Sequence, residues 1–351
     1  MSSEFLLGAE EMKEGWKLKD GLYQFEDITE NQIWQIFSYI FSTKSANRTS
    51  YKFGFLKALI ESAFDAAIDG SINLNEIFER FARIYWALIV KYSLVQGDKG
   101  TRNKSSIELI YYRYIEKYKE LKICEFDSIK GEIKDELLKE IVIECKKYVV
   151  GAIYADSKGV FYSFSKKGGS LSFNPNVYKF IKKFSSILLK INDYEWIKFL
   201  EKVNKGETCF GLAVKLNEAS KRGNLVIYKN FLYSELNIKK CFYCGKTVGY
   251  CDIHVDHFVP WSFIRNDRLW NFVVSCSKCN LSKSDKLAGK EFLDEIIYRD
   301  EFLKQTCFPI VKHEFQNYSS VLVREIYESA VFNGFMYWKS NMKLNHKEIE
   351  L

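Results

Sequence analysis

Two Cys-x-x-Cys pairs, Cys241/Cys244 and Cys276/Cys279, flank an acidic residue and an imidazole that stand side by side, Asp256 and His257. Each pair offers two sulfurs from one tight turn. Together they fill the four corners of a tetrahedral site, the geometry zinc takes in a structural role. A redox Cys-x-x-Cys comes alone and near a βαβ pattern, which this stretch lacks. The 31 residues from 245 to 275 exceed the commonest zinc-finger loop, so a folded element must lie between the hooks. Asp256 is a hard oxygen ligand for a divalent cation. The imidazole of His257 is the side-chain type suited to taking a proton from water. An isolated Asp-His pair is an ordinary surface feature; between two metal hooks it is a candidate reaction centre.

The elements that must position these groups are legible around them. Cys251 to Val255 alternates about Ile253 and Val255, the pattern of a strand with one face on a small core. Asp256 and His257 fall at its end, and Pro260 stops the ladder. A second strand-like run covers Phe272 to Ser275. Asn280 follows the last cysteine directly, on the first turn of a predicted helix.

The strings VDHFVPWSF and LWNFVVSCSKCNLSKSD resemble the HNH nuclease superfamily, whose ββα-metal core here lies on zinc-binding knuckles. They are particularly similar to HNH domains of CRISPR effector nucleases and of bacterial restriction-type enzymes. The resemblance implies that Asp256 is a metal ligand, His257 the general base, and Asn271 the brace of the loop joining the strands. It also implies that Asn280 is the second metal ligand. The chain departs from the nominal H-N-H twice, with Asp256 leading and Asn280 closing, both common variants. Two protein oxygens make a hard, open site that favours Mg²⁺ or Mn²⁺ over zinc. Two metals with separate jobs follow: Zn²⁺ for folding, Mg²⁺ or Mn²⁺ for chemistry. Lys283, one turn beyond Asn280, is a candidate phosphate contact, with a solvated helix lysine as the competing reading. Lys278 and Arg265 are further candidate nucleic-acid contacts.

The charge balance agrees. The chain has 52 Lys and Arg against 45 Asp and Glu, a net +7. The excess is local: residues 236–290 hold nine Lys or Arg against four Asp, a net +5, whereas 291–351 hold seven against ten acidic residues. A basic patch attracts a phosphate backbone. Nine cysteines, five of them scattered outside the hooks, suit a reducing cytoplasm. No run is long and apolar enough for a signal peptide or a membrane span, so no membrane partner is expected. Three prolines in 351 residues suit long helices.

Elsewhere the periodicity predicts an α+β protein, mostly α. Residues 1–26 have no sustained period and read as a loosely organised arm. Thr29 caps a helix carrying Ile33, Ile36, Phe37, Ile40 and Phe41. Further helices are predicted over Tyr51–Ile68, Asn73–Leu94 and Ile107–Leu121. Residues 1–145 thus read as a helical bundle. Tyr111, Tyr112, Tyr114 and Tyr118 could stack on bases, but aromatics at helical spacing are core residues first. Lys44, Arg48, Lys99, Arg102 and Lys104 sit in loops that could touch phosphate, and solvated loop charge accounts for them nearly as well.

Near Tyr148 the period changes. Val149–Ala155, Val160–Ser165 and Ser170–Phe173 read as strands of a small β meander, separated by DSKG and KKGG turns. Helices are expected to about Ile191, over Asp193–Asn204 and over about Leu212–Leu236. This gives a second region, 146–235, with a recognition or regulatory role, ahead of the zinc-bound nuclease core, 236–290. Two amphipathic helices, about Glu291–Lys304 and Tyr318–Lys339, form a third segment, 291–351, packing on that core. His254 reads as a strand-surface residue, Cys251 as a spare buried thiol, and His313 and His346 as structural or solvent-facing.

The expected function is a metal-dependent HNH endonuclease acting on DNA, in bacterial restriction or anti-phage defence. One centre cuts one strand, so a homodimer is the arrangement that would cut two. Two alternatives stay open: a zinc-knuckle DNA-binding module, and an effector gated by a regulatory partner through the amino-terminal region.

Overall fold

Thr29 opens the first helix with a reciprocal cap. Its hydroxyl accepts from the Gln32 amide at 3.4 Å, and the Gln32 side chain accepts from the Thr29 amide at 3.0 Å, satisfying two donors that the helix would orphan. Helix α1, Glu30–Ile40, buries Ile33, Ile36, Phe37 and Ile40. The computed structural model describes residues 15–24, 27–45, 47–97, 104–220 and 223–340. Most of the predicted arm, Lys99, Arg102 and His346 lie outside the described residues.

The chain divides into two units, Met1–Lys221 and Arg222–Leu351. In the first, helices α2 (Tyr51–Ser62), α3 (Leu74–Trp86), α4 (Ser106–Lys117), α5 (Gly131–Asp156), α6 (Pro175–Val203) and α7 (Leu212–Ala219) follow α1. Helix α2 is buried at every position except Lys52, as a helix that is apolar nearly all round must be. It packs on α3, α5 and α6. Gly54 permits this: a Cβ there would lie 2.2 Å from the Tyr85 ring. Tyr111 is fully buried, and its hydroxyl donates to the Ala82 carbonyl at 2.7 Å, so it belongs to the core rather than to a base-stacking face.

Strands β1 (Asp20–Gly21), β2 (Ser71–Asn73), β3 (Tyr162–Ser165) and β4 (Ser170–Phe173) form one antiparallel sheet in the order β1-β3-β4-β2. The strand expected over Val149–Ala155 is instead the end of α5. Val149, Val150, Ile153 and Tyr154 bury one helical face, and tertiary packing overrides their β propensity. The DSKG turn does end the helix, with Lys158 and Gly159 at φ 53° and 72°. The break expected near Asn192 is likewise absent. Asn192 and Asp193 point inward, the first donating to the Phe53 carbonyl at 3.1 Å, the second 2.9 Å from the Lys57 ammonium.

The second unit contains α8 (Val226–Asn230), β5 (Ile253–His257), α9 (Trp261–Ile264), β6 (Phe272–Cys276) and α10 (Ser277–Lys283). After them come β7 (Leu287–Ala288), α11 (Leu293–Lys304), α12 (Pro309–Glu314), α13 (Ser320–Phe332) and β8 (Tyr337–Trp338). The helix expected over Leu212–Leu236 is interrupted. The Asn224 side chain accepts from the Val226 amide at 2.9 Å and starts α8 afresh. The last predicted helix stops at Phe332. Gly334, at φ 85°, turns the chain into β8, which pairs in parallel with β7. The whole is an α+β protein, mostly α, with small sheets. Among the described residues no helix is long and apolar enough to cross a membrane.

Candidate active site and metal centre

β5 and β6 pair antiparallel, with Asp256 opposite Val273 and His257 opposite Phe272. β6 runs straight into α10, so the three elements form a ββα unit. The first cysteine hook docks on it through the Phe242 amide, which donates to the Val274 carbonyl at 2.8 Å. Gly245, at φ 68°, tightens the hook, and its amide donates to the Cys241 carbonyl at 2.8 Å. The second hook begins on the last residue of β6, and Cys279 sits in the first turn of α10.

The four sulfurs of Cys241, Cys244, Cys276 and Cys279 lie within 4.8 Å of one another, and those of Cys244 and Cys276 are 3.8 Å apart. A tetrahedron with Zn–S bonds of about 2.3 Å has edges of about 3.8 Å. The cluster therefore fits a zinc knuckle. Without a cation, burial pushes the Cys241 thiol up to about 11 and Cys279 higher still. Burial also acts on Cys276, but hydrogen bonds from the Cys279 amide and the neighbouring thiols outweigh it and lower that group. Crowded thiols of this kind are what a divalent cation relieves.

Asp256 and His257 are both buried, their side chains 9% and 4% exposed. One carboxylate oxygen of Asp256, Oδ2, accepts from the Tyr243 hydroxyl at 2.6 Å and lies 3.1 Å from the Lys283 ammonium. Both partners use the same oxygen. Tyr243 is one of the two residues inside the first hook, so the sulfur centre and Asp256 share a neighbour. Burial first, then the Asp256 charge, pushes the Tyr243 phenol well above its ordinary range, keeping it a donor.

Lys283, expected at a phosphate, is fully buried. Its ammonium donates to the His257 carbonyl at 2.7 Å and pairs with Asp256, so it holds the strand end from within. The next residue, Ser284, takes φ 48° and ψ −128°, a conformation costly for any side chain. Arg265 turns back on its own helix, with Nε donating to the Ser262 carbonyl at 3.0 Å and the guanidinium 4.8 Å from the Trp261 ring. Lys278 is exposed and, with Lys246, lines a cleft of about 750 Å³ beside the cysteines.

Asn271 is buried and ties down the loop after β5. Its Oδ1 accepts from the Val259 amide at 2.8 Å, its Nδ2 donates to the Val259 carbonyl at 2.9 Å, and its own carbonyl accepts from the Phe258 amide at 2.7 Å. Asn280 is half-buried on α10, which packs on both strands. His254 is exposed on β5; Cys251, expected to be buried, is exposed in the turn before that strand. His313 is exposed, beside Glu314.

Three residues of this network carry no motif signal. Asp267 receives the His257 imidazole, Nε2 to Oδ1 at 2.8 Å. Tyr243 stands within the first hook at a position that the ligand spacing does not mark. Arg299 on α11 is buried, donating to the Phe272 carbonyl and, at 3.2 Å, to the Trp270 carbonyl. It thereby grips the backbone on both sides of Asn271.

Comparison with known proteins meets the same segment. The family model described as HNH endonuclease matches residues 241–288. The CRISPR-associated endonuclease Cas9 of Actinomyces naeslundii is 44% identical over 52 residues, 14% of this chain. The match spans 5% of the length of that curated relative. No solved structure matches the chain. A ββα unit with paired Asp256 and His257, mounted on a four-cysteine knuckle and matched by the family model, identifies residues 241–288 as a member of the HNH endonuclease superfamily.

Proposed function

We propose that the protein is a metal-dependent DNA endonuclease, with His257 as general base and Asp256 and Asn280 as ligands of Mg²⁺ or Mn²⁺. Zn²⁺ on the four cysteines holds the fold. The observation that carries this reading is the buried Asp256–His257 pair, in which one carboxylate oxygen and one ring nitrogen are already engaged by the protein. Such preorganisation fixes the remaining atoms toward a substrate. A divalent cation supplies charge neutralisation at the phosphoryl oxygens and the leaving oxygen.

The chain's own residues do the rest. His257 takes the proton of a water aimed at phosphorus, while Asp267 holds its other nitrogen. Asn271 fixes the loop that follows, and Lys283 pins the strand end. Lys278 and Lys246 line a cleft suited to phosphate. Bacterial restriction or anti-phage defence is the proposed setting, with the first unit in recognition or control.

Cleavage of supercoiled plasmid and phage DNA with Mg²⁺, Mn²⁺ or EDTA tests the proposal. Cutting that needs the cation and falls about 10²–10⁴-fold in His257→Ala, with DNA binding kept, is the expected result. Binding without cutting on every substrate would return the chain to the class of DNA-binding modules. The burial of His257 and Asp256 favours one refinement, an effector whose cutting waits on a partner. Activity that appears only when that partner is added would establish it.

A further inference from the structure

The loop between α9 and β6 brings Asp267 against the His257 ring. Its Oδ1 lies 2.8 Å from Nε2, and its Oδ2 accepts from the Gly223 amide at 2.9 Å. Its backbone carbonyl accepts from the Tyr228 hydroxyl at 3.2 Å. The carboxylate is thus held at both ends and cannot swing away without losing two bonds. The imidazole is held as well: the Phe272 ring meets it nearly edge-on, centroids 4.7 Å apart, and Tyr228 packs on that phenylalanine at 4.6 Å.

An ionised carboxylate only accepts hydrogen bonds, so the nitrogen facing it carries the hydrogen. In a neutral imidazole the lone pair then resides on the other nitrogen. We infer that Asp267 is a positioning residue that holds His257 in the Nε2–H tautomer and reserves Nδ1 to accept the proton of the attacking water. The inference rests on the nuclease reading for its function, but the tautomer is a property of the protein alone. Asp267→Asn presents an amide that donates as readily as it accepts, which admits the opposite tautomer. In serine proteases the corresponding change is costly for this reason.

Two measurements on the full chain decide it. Long-range proton–nitrogen NMR of histidine-labelled protein, with His257→Gln to assign the ring, reads the tautomer directly. The native chain should show Nε2–H at His257, and Asp267→Asn a mixture. Cleavage kinetics should show kcat falling about 10–100-fold in Asp267→Asn, with KM within about twofold, and partial recovery in Asp267→Glu. In a His257→Ala background the Asp267 change should cost nothing further. An equal loss in both backgrounds, or an unchanged Nε2–H signal in Asp267→Asn, would overturn the assignment. Should Asp267→Asn fail to fold, Asp267→Ser carries the same comparison. A native chain that cuts nothing would defeat the nuclease reading, while the NMR arm would still decide the tautomer.

Discussion

The two units bury charge in opposite ways. In the first, Lys57 meets Asp193 at 2.9 Å and Glu61 at 3.7 Å between α2 and α6. In the second, the buried charges Lys283, Asp256, Arg299 and Asp300 surround a strand end, and the two cations among them also donate to the backbone carbonyls of His257, Trp270 and Phe272. The first pattern fixes how two helices register. The second fixes where a few atoms point. Burial of charge is costly in both places, so the residues gained differ: one arrangement specifies packing, the other orientation.

The strongest way to break the comparison is to remove the cation proposed on the four sulfurs. Cys279→Ser, or chelation of zinc, should unfold the second unit and leave the first intact, because structural zinc contributes on the order of 10 kcal/mol to small domains. Calorimetry should then lose one of two transitions; a single shared transition lost as a whole would contradict the division.

Next in size are the two buried cations. Lys57→Met and Arg299→Met should each destabilise their own unit by about 3–5 kcal/mol, since each leaves a carboxylate unpaired. Only Arg299→Met should also depress cleavage, because only Arg299 grips the backbone around Asn271. Equal cleavage in the two variants would erase the distinction. Its neighbour Asp300 adds a pH signature. Burial, against the pull of Arg299, pushes the Asp300 carboxyl up to about 7. A folded value above the unfolded one means the native state holds the extra proton, so stability falls as pH rises from about 4 through 7. Asp300→Asn should flatten that slope in thermal melts between pH 5 and 8.

Smaller effects sharpen the picture. Tyr243→Phe removes one hydrogen bond to a carboxylate, worth about 1.5–3 kcal/mol, and should weaken Mn²⁺ binding at Asp256 by about 10–100-fold with the sulfur centre still loaded. Unchanged binding by calorimetric titration would separate the two centres. Ser284→Gly should raise stability by about 1 kcal/mol by relieving the φ 48° backbone, read from urea unfolding midpoints.

The same contrast explains what could be read from the chain beforehand. The hooks, Asp256-His257 and the flanking strands are local in sequence, and a spacing rule or a period-2 pattern captures them. Asp267, Tyr243 and Arg299 act through contacts that no spacing encodes; Arg299 lies 28 residues past Asn271. Val149 to Ala155 misled because β-branched residues at helical spacing look like a strand until their burial is known. Asn192-Asp193 misled because a polar pair looks like a helix end unless its partners on α2 are in view. Lys283 read as a phosphate contact or a solvated lysine because a helix lysine usually faces outward, and the strand end that claims it is 26 residues away.

Tyr243 ties two chemistries with very different sensitivities. Thiolates answer to oxidants and to metal supply; a carboxylate answers to neither. Because the phenol inside Cys241–Cys244 also steadies Asp256, an oxidised or emptied knuckle would misaim the cutting centre before any reacting group was itself damaged. In the proposed nuclease, redox stress would act as a loss of aim.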